Sequence, residues 1–263
     1  MDTGLAKKVV MVAAASKGLG YGIAKAVADE GAHVSIASRS SDDINTAAEQ
    51  IRKQTGAEVL PCVFDASDQE SIDAWKNQTI SHFGGIDGLV VNAGGPPSGK
   101  FDQFKDEEWQ SAFELTLLSA VRMIRVVLPS MRERGGGSII TLTSSSIKEP
   151  IDVLLLSNVM RAGVVALAKS LSQQLASENI RVNNLVPGRM DTDRIRSLDA
   201  VRAKTAGLTE DQVRVASEAS IPWGRYGTAE EFGKAGAFLL SDAASYITGS
   251  TLVVDGGSMK TVW

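Results

Sequence analysis

The amino-acid sequence predicts an α/β protein: one doubly wound domain over residues 1–263, with a seven-stranded parallel sheet covered by helices on both faces. Three observations predict it. Short apolar runs rich in Val and Ile alternate with longer stretches of helical periodicity. The runs read as strands buried on both sides, which is the signature of parallel sheets. No repeat, low-complexity tract or linker divides the chain.

The strands are expected at residues 9–14, 34–37, 59–64, 88–92, 138–142, 182–186 and 251–254. Helical patterns lie between them at 20–30, 43–54, 69–83, 107–134, 157–177 and 229–240. Two of these helices are too apolar for a single buried face. One carries Leu115, Leu118 and Val127, the other Val164, Leu167 and Leu171. A helix apolar on more than one side is buried on more than one side. The second face belongs either to a deep core or to a subunit interface, and the interface reading makes the protein a homotetramer or dimer.

Composition sets limits. Hydrophobic residues make up 43% and charged residues 22%, ordinary for a globular protein. The net charge of -4 provides no basic footprint for nucleic acid. No apolar stretch reaches membrane-spanning length; the richest, around 115–128, is interrupted by Arg122 and Arg125. The opening residues Met1-Asp2-Thr3-Gly4 show no secretory signal. Cys62 is the lone cysteine, which fits a reducing cytoplasm. No His/Cys cluster has metal-ligand spacing, and none of His33 or His82 falls on the expected ligand edge.

The run Val12-Ala13-Ala14-Ala15-Ser16-Lys17-Gly18-Leu19-Gly20 leaves the first strand and opens the first helix. Glycines there let backbone N–H groups approach a pyrophosphate, and the helix N-terminus adds partial positive charge. A plain tight turn is the alternative. Asp65, Asn92-Ala93-Gly94-Gly95 and Pro187-Gly188 end the third, fourth and sixth strands. In a parallel sheet these all fall on the edge that lines the ligand crevice.

With these motifs the chain resembles the short-chain dehydrogenase/reductase family, and most closely its 3-oxoacyl-[acyl carrier protein] reductases. The resemblance covers nearly the whole chain and implies a Rossmann-type domain. The family's TGxxxGxG matches residues 13–20, with Ala13 and Ala14 at its first two positions. Its Asn-Ala-Gly matches Asn92, Ala93 and Gly94, and its Pro-Gly matches Pro187 and Gly188. Thr192 stands where the family contacts the nicotinamide carboxamide. Tyr246-Ile247-Thr248-Gly249 and Val254-Asp255-Gly256-Gly257 are also typical.

The resemblance departs at the catalytic positions. The family's catalytic Ser matches Ser144. Its Tyr matches Ser157, its Lys matches Arg161 and its structural Asn matches Thr116. Arg161-Ala162-Gly163 against the family's Lys-Ala-Gly fixes that register. In the family a phenol protonates the carbonyl oxygen as hydride moves to carbon. Ser157 is a far weaker acid and is shorter. Losing a positioned acid typically costs about 10²–10⁴ in rate. Arg161 keeps the positive charge and can still donate to ribose hydroxyls, but does not give up a proton in ordinary conditions.

The expected cofactor is NADP(H) rather than NAD(H). The second strand ends at Ser38-Arg39 with no carboxylate to accept from a ribose diol. Arg39 and Lys17 can pair with a 2′-phosphate instead, or stand as solvated charges. Asp65 and Ala66 match adenine-contacting positions, although a carboxylate at a strand end is also an ordinary turn residue. Lys148 and Asp152 are the nearest replacement proton carriers by sequence, while Tyr226 is expected to be distant and structural.

Pro150, Ile151, Val153, Leu154 and Leu155 are expected to form an apolar wall, faced by the loop Gly95-Pro96-Pro97-Ser98-Gly99. Residues 191–221, with a helical pattern around 209–218, match the family's substrate lid. Three functions fit: a carbonyl reductase or alcohol dehydrogenase with a modified site, a cofactor-binding protein with little turnover, or different chemistry on an anionic substrate held by Ser144, Ser157 and Arg161.

Overall fold

In the computed structural model, which describes residues 2–262, the apolar runs become β1 (Val9–Ala13), β2 (His33–Ser38), β3 (Val59–Val63), β4 (Gly88–Val91), β5 (Gly137–Leu142), β6 (Ile180–Pro187) and β7 (Thr251–Val254). They form one seven-stranded sheet in the order β3-β2-β1-β4-β5-β6-β7. Every pair is parallel. The helices are α1 (Gly18–Asp29), α2 (Ser41–Thr55), α3 (Gln69–Phe83), α4 (Asp106–Ala112), α5 (Ser119–Glu133), α6 (Leu155–Gln174), α7 (Asp193–Ala206), α8 (Glu210–Ala219) and α9 (Ala229–Leu240).

Two cores flank the sheet. Ile23 and Val27 of α1, Ile44 and Ile51 of α2 and Phe232 of α9 fill one side. Ile72 and Trp75 of α3, Met123 and Val127 of α5 and Val164 of α6 fill the other. The pair α1–α9 packs backbone to backbone. A side chain on Gly233 would strike the backbone of Gly22. The central strands are buried as expected, but β3 and β7 are not wholly so. Each is an edge strand with a neighbour on one side only.

The order reverses between β1 and β4, because the chain moves outward from β1 to β3 and then returns to the other side of β1. Such a switch point leaves a crevice beyond the carboxyl ends of the two strands. The glycine turn after β1 and the Asn92-Ala93-Gly94 segment after β4 both open onto it.

Two expectations are corrected. The helix at 107–134 is not continuous. It is divided into α4 and α5 by a π-helical turn, Phe113–Leu118, with Thr116 buried within it. An inserted residue widens one turn without disturbing the apolar spacing on either side, so periodicity does not reveal it. The 191–221 segment holds two helices rather than one. Its α7 carries Asp, Arg and Lys on most faces, which conceals it from a hydrophobic pattern. No helix is long and apolar enough to cross a membrane among the described residues.

Candidate active site

The turn after β1 is shaped for close approach. Ala14 and Gly18 take positive φ of 50° and 62°. A Cβ on Gly20 would lie 2.5 Å from the carbonyl oxygen of Ala14. Ala15 N–H donates to Ala37 O at 3.1 Å, tying the turn to β2. Asn92 Nδ2 donates to Ala14 O at 3.4 Å from the far side of the crevice.

Helix α1 begins at this turn with no side-chain cap and no acidic residue in its first turn. The helices α2, α3, α7, α8 and α9 are capped by Ser40, Asp68, Thr192, Thr209 and Thr228, whereas α4, α5 and α6 share α1's lack of a side-chain cap. The free N–H groups of α1 therefore fit an anion of the pyrophosphate type. A side chain on Gly94 would meet nothing within 4 Å, so this loop borders open space. Thr192 Cγ2 lies 3.7 Å from where a Gly18 Cβ would stand, so the start of α7 overhangs the turn.

At the ribose end, Ser38 is buried and donates to Ser40 O at 3.3 Å. Lys17 and Arg39 are exposed and form no salt bridge among the described residues. Asp65 Oδ1 accepts from Ser67 N–H at 2.9 Å in a tight turn, which is the ordinary turn role. Ala66 packs into the core.

A second group forms where β5 meets α6. Asn184 Oδ1 accepts from Thr141 and Thr143 hydroxyls at 3.0 and 2.9 Å, so β6 pins the end of β5. Ser144 follows, and its Oγ accepts from Ser146 N–H at 3.2 Å. That bond leaves the Ser144 hydroxyl proton free to donate. Ser157 lies in the first turn of α6 and is buried.

Arg161 sits one turn further along α6. Its Nε donates to Ser157 Oγ at 3.1 Å and its Nη1 to Leu142 O at 3.0 Å. Ser144, Ser157 and Arg161 are thus gathered at the end of β5. The residue as a whole remains partly open to solvent, but protein crowds its guanidinium. Desolvation first, and the positive charge of Arg194 second, push its pKa down to about 10. Thr116, on the π-turn packed against α6, has a buried Oγ1 with no hydrogen-bond partner. Ser146 Oγ is in the same state.

The apolar wall and the 95–99 loop do not oppose each other as expected. Gly99 N–H donates to Val153 O at 2.8 Å, so the loop ends paired with the wall. Ile151 and Val153 are exposed apolar side chains in the segment leading into α6. Lys148 is exposed. Asp152 lies 3.4 Å from Lys100 on the surface. His33 and His82 both reach Glu58, at 3.5 and 2.9 Å, on the opposite edge of the sheet.

Tyr226, between α8 and α9, is buried, and its side chain reaches α7. Its hydroxyl donates to Asp199 Oδ2 at 2.7 Å, and Arg189 Nη1 donates to Asp199 Oδ1 at 2.7 Å. Sequence reasoning missed Arg194. It stands two residues after Thr192, and its guanidinium lies against Gly95, where any Cβ would collide with it. Its place after Pro187-Gly188 and Thr192 was the available signal.

The chain is similar throughout to known reductases. The family described as Enoyl-(Acyl carrier protein) reductase matches residues 13–259. The 3-oxoacyl-[acyl-carrier-protein] reductase FabG of Chlamydia muridarum is 32% identical over 257 residues, covering 98% of this chain and 99% of the relative. FabG of Escherichia coli is 35% identical over 250 residues, covering 95% and 96%. The crystal structure of L-sorbose reductase from Gluconobacter frateurii, complexed with NADPH and L-sorbose, matches with a TM-score of 0.95 and 34% identity over 100% of both chains. Similarity of this extent, on a sheet with a phosphate-shaped turn at its switch point, has one reading: the chain belongs to the short-chain dehydrogenase/reductase family of oxidoreductases.

Proposed function

We propose that this protein is an NADP(H)-dependent oxidoreductase acting on a carbonyl or alcohol substrate, resembling 3-oxoacyl-thioester reductases but with a non-standard active site. One observation carries the reading: the uncapped N-terminus of α1 faces the switch point, and Ser144 and Arg161 stand two strands away at the same edge. The NADPH in the L-sorbose reductase complex supports the cofactor choice. So do Arg39 and Lys17, exposed beside a β2 end that lacks a carboxylate.

The cofactor, when bound, supplies or accepts hydride. The chain's own residues prepare the substrate. The Ser144 hydroxyl proton is free to bond the substrate oxygen. Arg161 holds positive charge beside that oxygen and keeps its proton, since even a pKa of about 10 leaves it charged at neutral pH. It stabilises a developing oxyanion rather than protonating it. Ser157, held by Arg161, is too weak an acid for the task. The proton therefore comes from water, with the unpaired Thr116 Oγ1 available as a partner. Residues 191–221 act as a lid over a substrate lying against Ile151 and Val153.

The partly exposed apolar residues Leu115, Leu117, Val126, Leu128, Leu167 and Leu171 on α5, α6 and the π-turn are read as a homotetramer or dimer surface. The buried lone thiol of Cys62 accords with a cytoplasmic protein. Stopped-flow NADPH oxidation over a carbonyl panel that includes acetoacetyl thioesters tests the activity. Turnover with NADPH favoured over NADH is expected. Micromolar NADPH binding with no turnover on any member would replace this reading with that of a cofactor-binding protein.

A further inference from the structure

Arg161 at the end of β5 and Arg194 against the loop after β4 lie near enough for their charges to interact, and neither has a counter-charge among the described residues. Arg161 comes up from α6 and spends Nε on Ser157 and Nη1 on Leu142 O. A guanidinium has five N–H donors, so the remaining ones are uncommitted. Arg194 comes down from the first turn of α7 and lies against Gly95 in the loop after β4. It forms no hydrogen bond or ion pair among the described residues. The charge that Arg161 senses most is the positive one of Arg194.

Four of the lid's carboxylates are occupied, while Glu210 and Asp211 at the start of α8 are exposed and hold no cation among the described residues. Asp191 pairs with Arg196 and Arg214, and Asp193 with Arg196. Asp199 pairs with Arg189, and Glu218 with Arg214. Arg189, Arg196 and Arg214 are thereby neutralised, whereas Arg194 and Arg202 pair with no carboxylate among the described residues. Like charges brought together without a partner raise the energy of the free protein. An oxyanion between them removes that penalty and can accept from both forks. Arg194 lies against the loop after β4, and Arg161 holds the end of β5 two residues before Ser144.

We propose that the substrate carries an oxyanion, a carboxylate or a phosphate, near its reacting carbon, and that Arg161 and Arg194 bind it together. This assignment rests on the oxidoreductase reading above and names its substrate class. The apolar side chains of Ile151 and Val153 take the remainder of the molecule. The site thus selects an acid with an apolar body over the corresponding neutral compound.

The test is calorimetric titration of the NADP⁺-saturated protein with octanoate, octyl phosphate and octanamide. At least one anion is expected to bind about tenfold or more tightly than octanamide, a ratio worth about 1.4 kcal/mol. Which anion loses more affinity in Arg194→Gln separates carboxylate from phosphate. That variant is expected to lose most of the anion's advantage while its affinity for octanamide and for NADP⁺ stays within about twofold, a change too small to count as a lost contact. Equal binding of all three probes to the parent overturns the proposal. So does a variant that loses NADP⁺ affinity but keeps the preference for an anion, because Arg194 would then serve the cofactor's diphosphate. If NADP⁺ does not bind at all, the oxidoreductase reading fails on its own. The same titrations on the free protein then still decide whether the two arginines hold an oxyanion.

Discussion

Arg161 reaches back one helical turn to donate to Ser157 at 3.1 Å. The family resemblance implies a phenol and an ammonium at these two positions. Here the short hydroxyl is bound as an acceptor, and the cation is fixed by it and by Leu142 O. The pair holds charge in place but has no acid suited to neutral pH.

Restoring the acid tests that conclusion. The triple variant Ser157→Tyr, Arg161→Lys, Thr116→Asn is expected to gain reduction of neutral ketones over the parent, by about 10²–10⁴ if a positioned phenol is all that was missing. Single-turnover NADPH oxidation measures it. No gain would mean that the surrounding pocket has diverged as well.

Arg161 should cost the fold stability. Burial and Arg194 hold its pKa down near 10, a depression that corresponds to roughly 3 kcal/mol against the charged form. Its two hydrogen bonds offset about 1 kcal/mol each. The balance is roughly 1 kcal/mol, so Arg161→Met should raise Tm by about 2–4 °C in the free protein. A fall in Tm would show that the hydrogen bonds outweigh the buried charge.

Tyr226 ties α7 to the segment before α9 through Asp199. Tyr226→Phe removes the donor to the buried Asp199 and leaves Arg189 as its partner. The cost is about 1 kcal/mol. It should appear as faster hydrogen exchange in α7 and α8, with slower exchange in the central strands unchanged, because weakly held surface elements open locally.

Glu231 closes a capping box with Thr228 and pairs with Arg225. The Arg225 hydrogen bond, then the Thr228 N–H, hold its carboxyl at about 2, below the ordinary 4.5. A depressed carboxyl stabilises the fold above about pH 4.5, and that contribution fades as pH falls toward 2. Both partners are largely exposed, so the size is under about 1 kcal/mol. Glu231→Gln should lower Tm at pH 7, and calorimetry at pH 2 should show the difference nearly gone.

Ala14 occupies a glycine position of the family with φ of 50°. A non-glycine residue there is strained by about 1–2 kcal/mol. Ala14→Gly is expected to keep cofactor affinity and not to lower chemical-denaturation stability by more than the entropy of the added glycine, about 0.5–1 kcal/mol.

The sequence by itself determined the sheet, its parallel pairing, the phosphate turn and the identity of residues 116, 144, 157 and 161. Those features rest on local chemistry: Val and Ile runs, glycines at a strand exit, and a fixed spacing between Ser144 and Arg161. The tertiary structure decided what those residues touch. Periodicity could not register the π-turn around Thr116, since one inserted residue leaves the flanking pattern intact. Nor could it find α7, whose charged faces lack an apolar stripe. The meeting of Arg161 with Arg194 depends on how the segment after β6 folds back over the loop after β4. Residues 33 positions apart in the chain come together there because a parallel sheet gathers its strand exits at one edge.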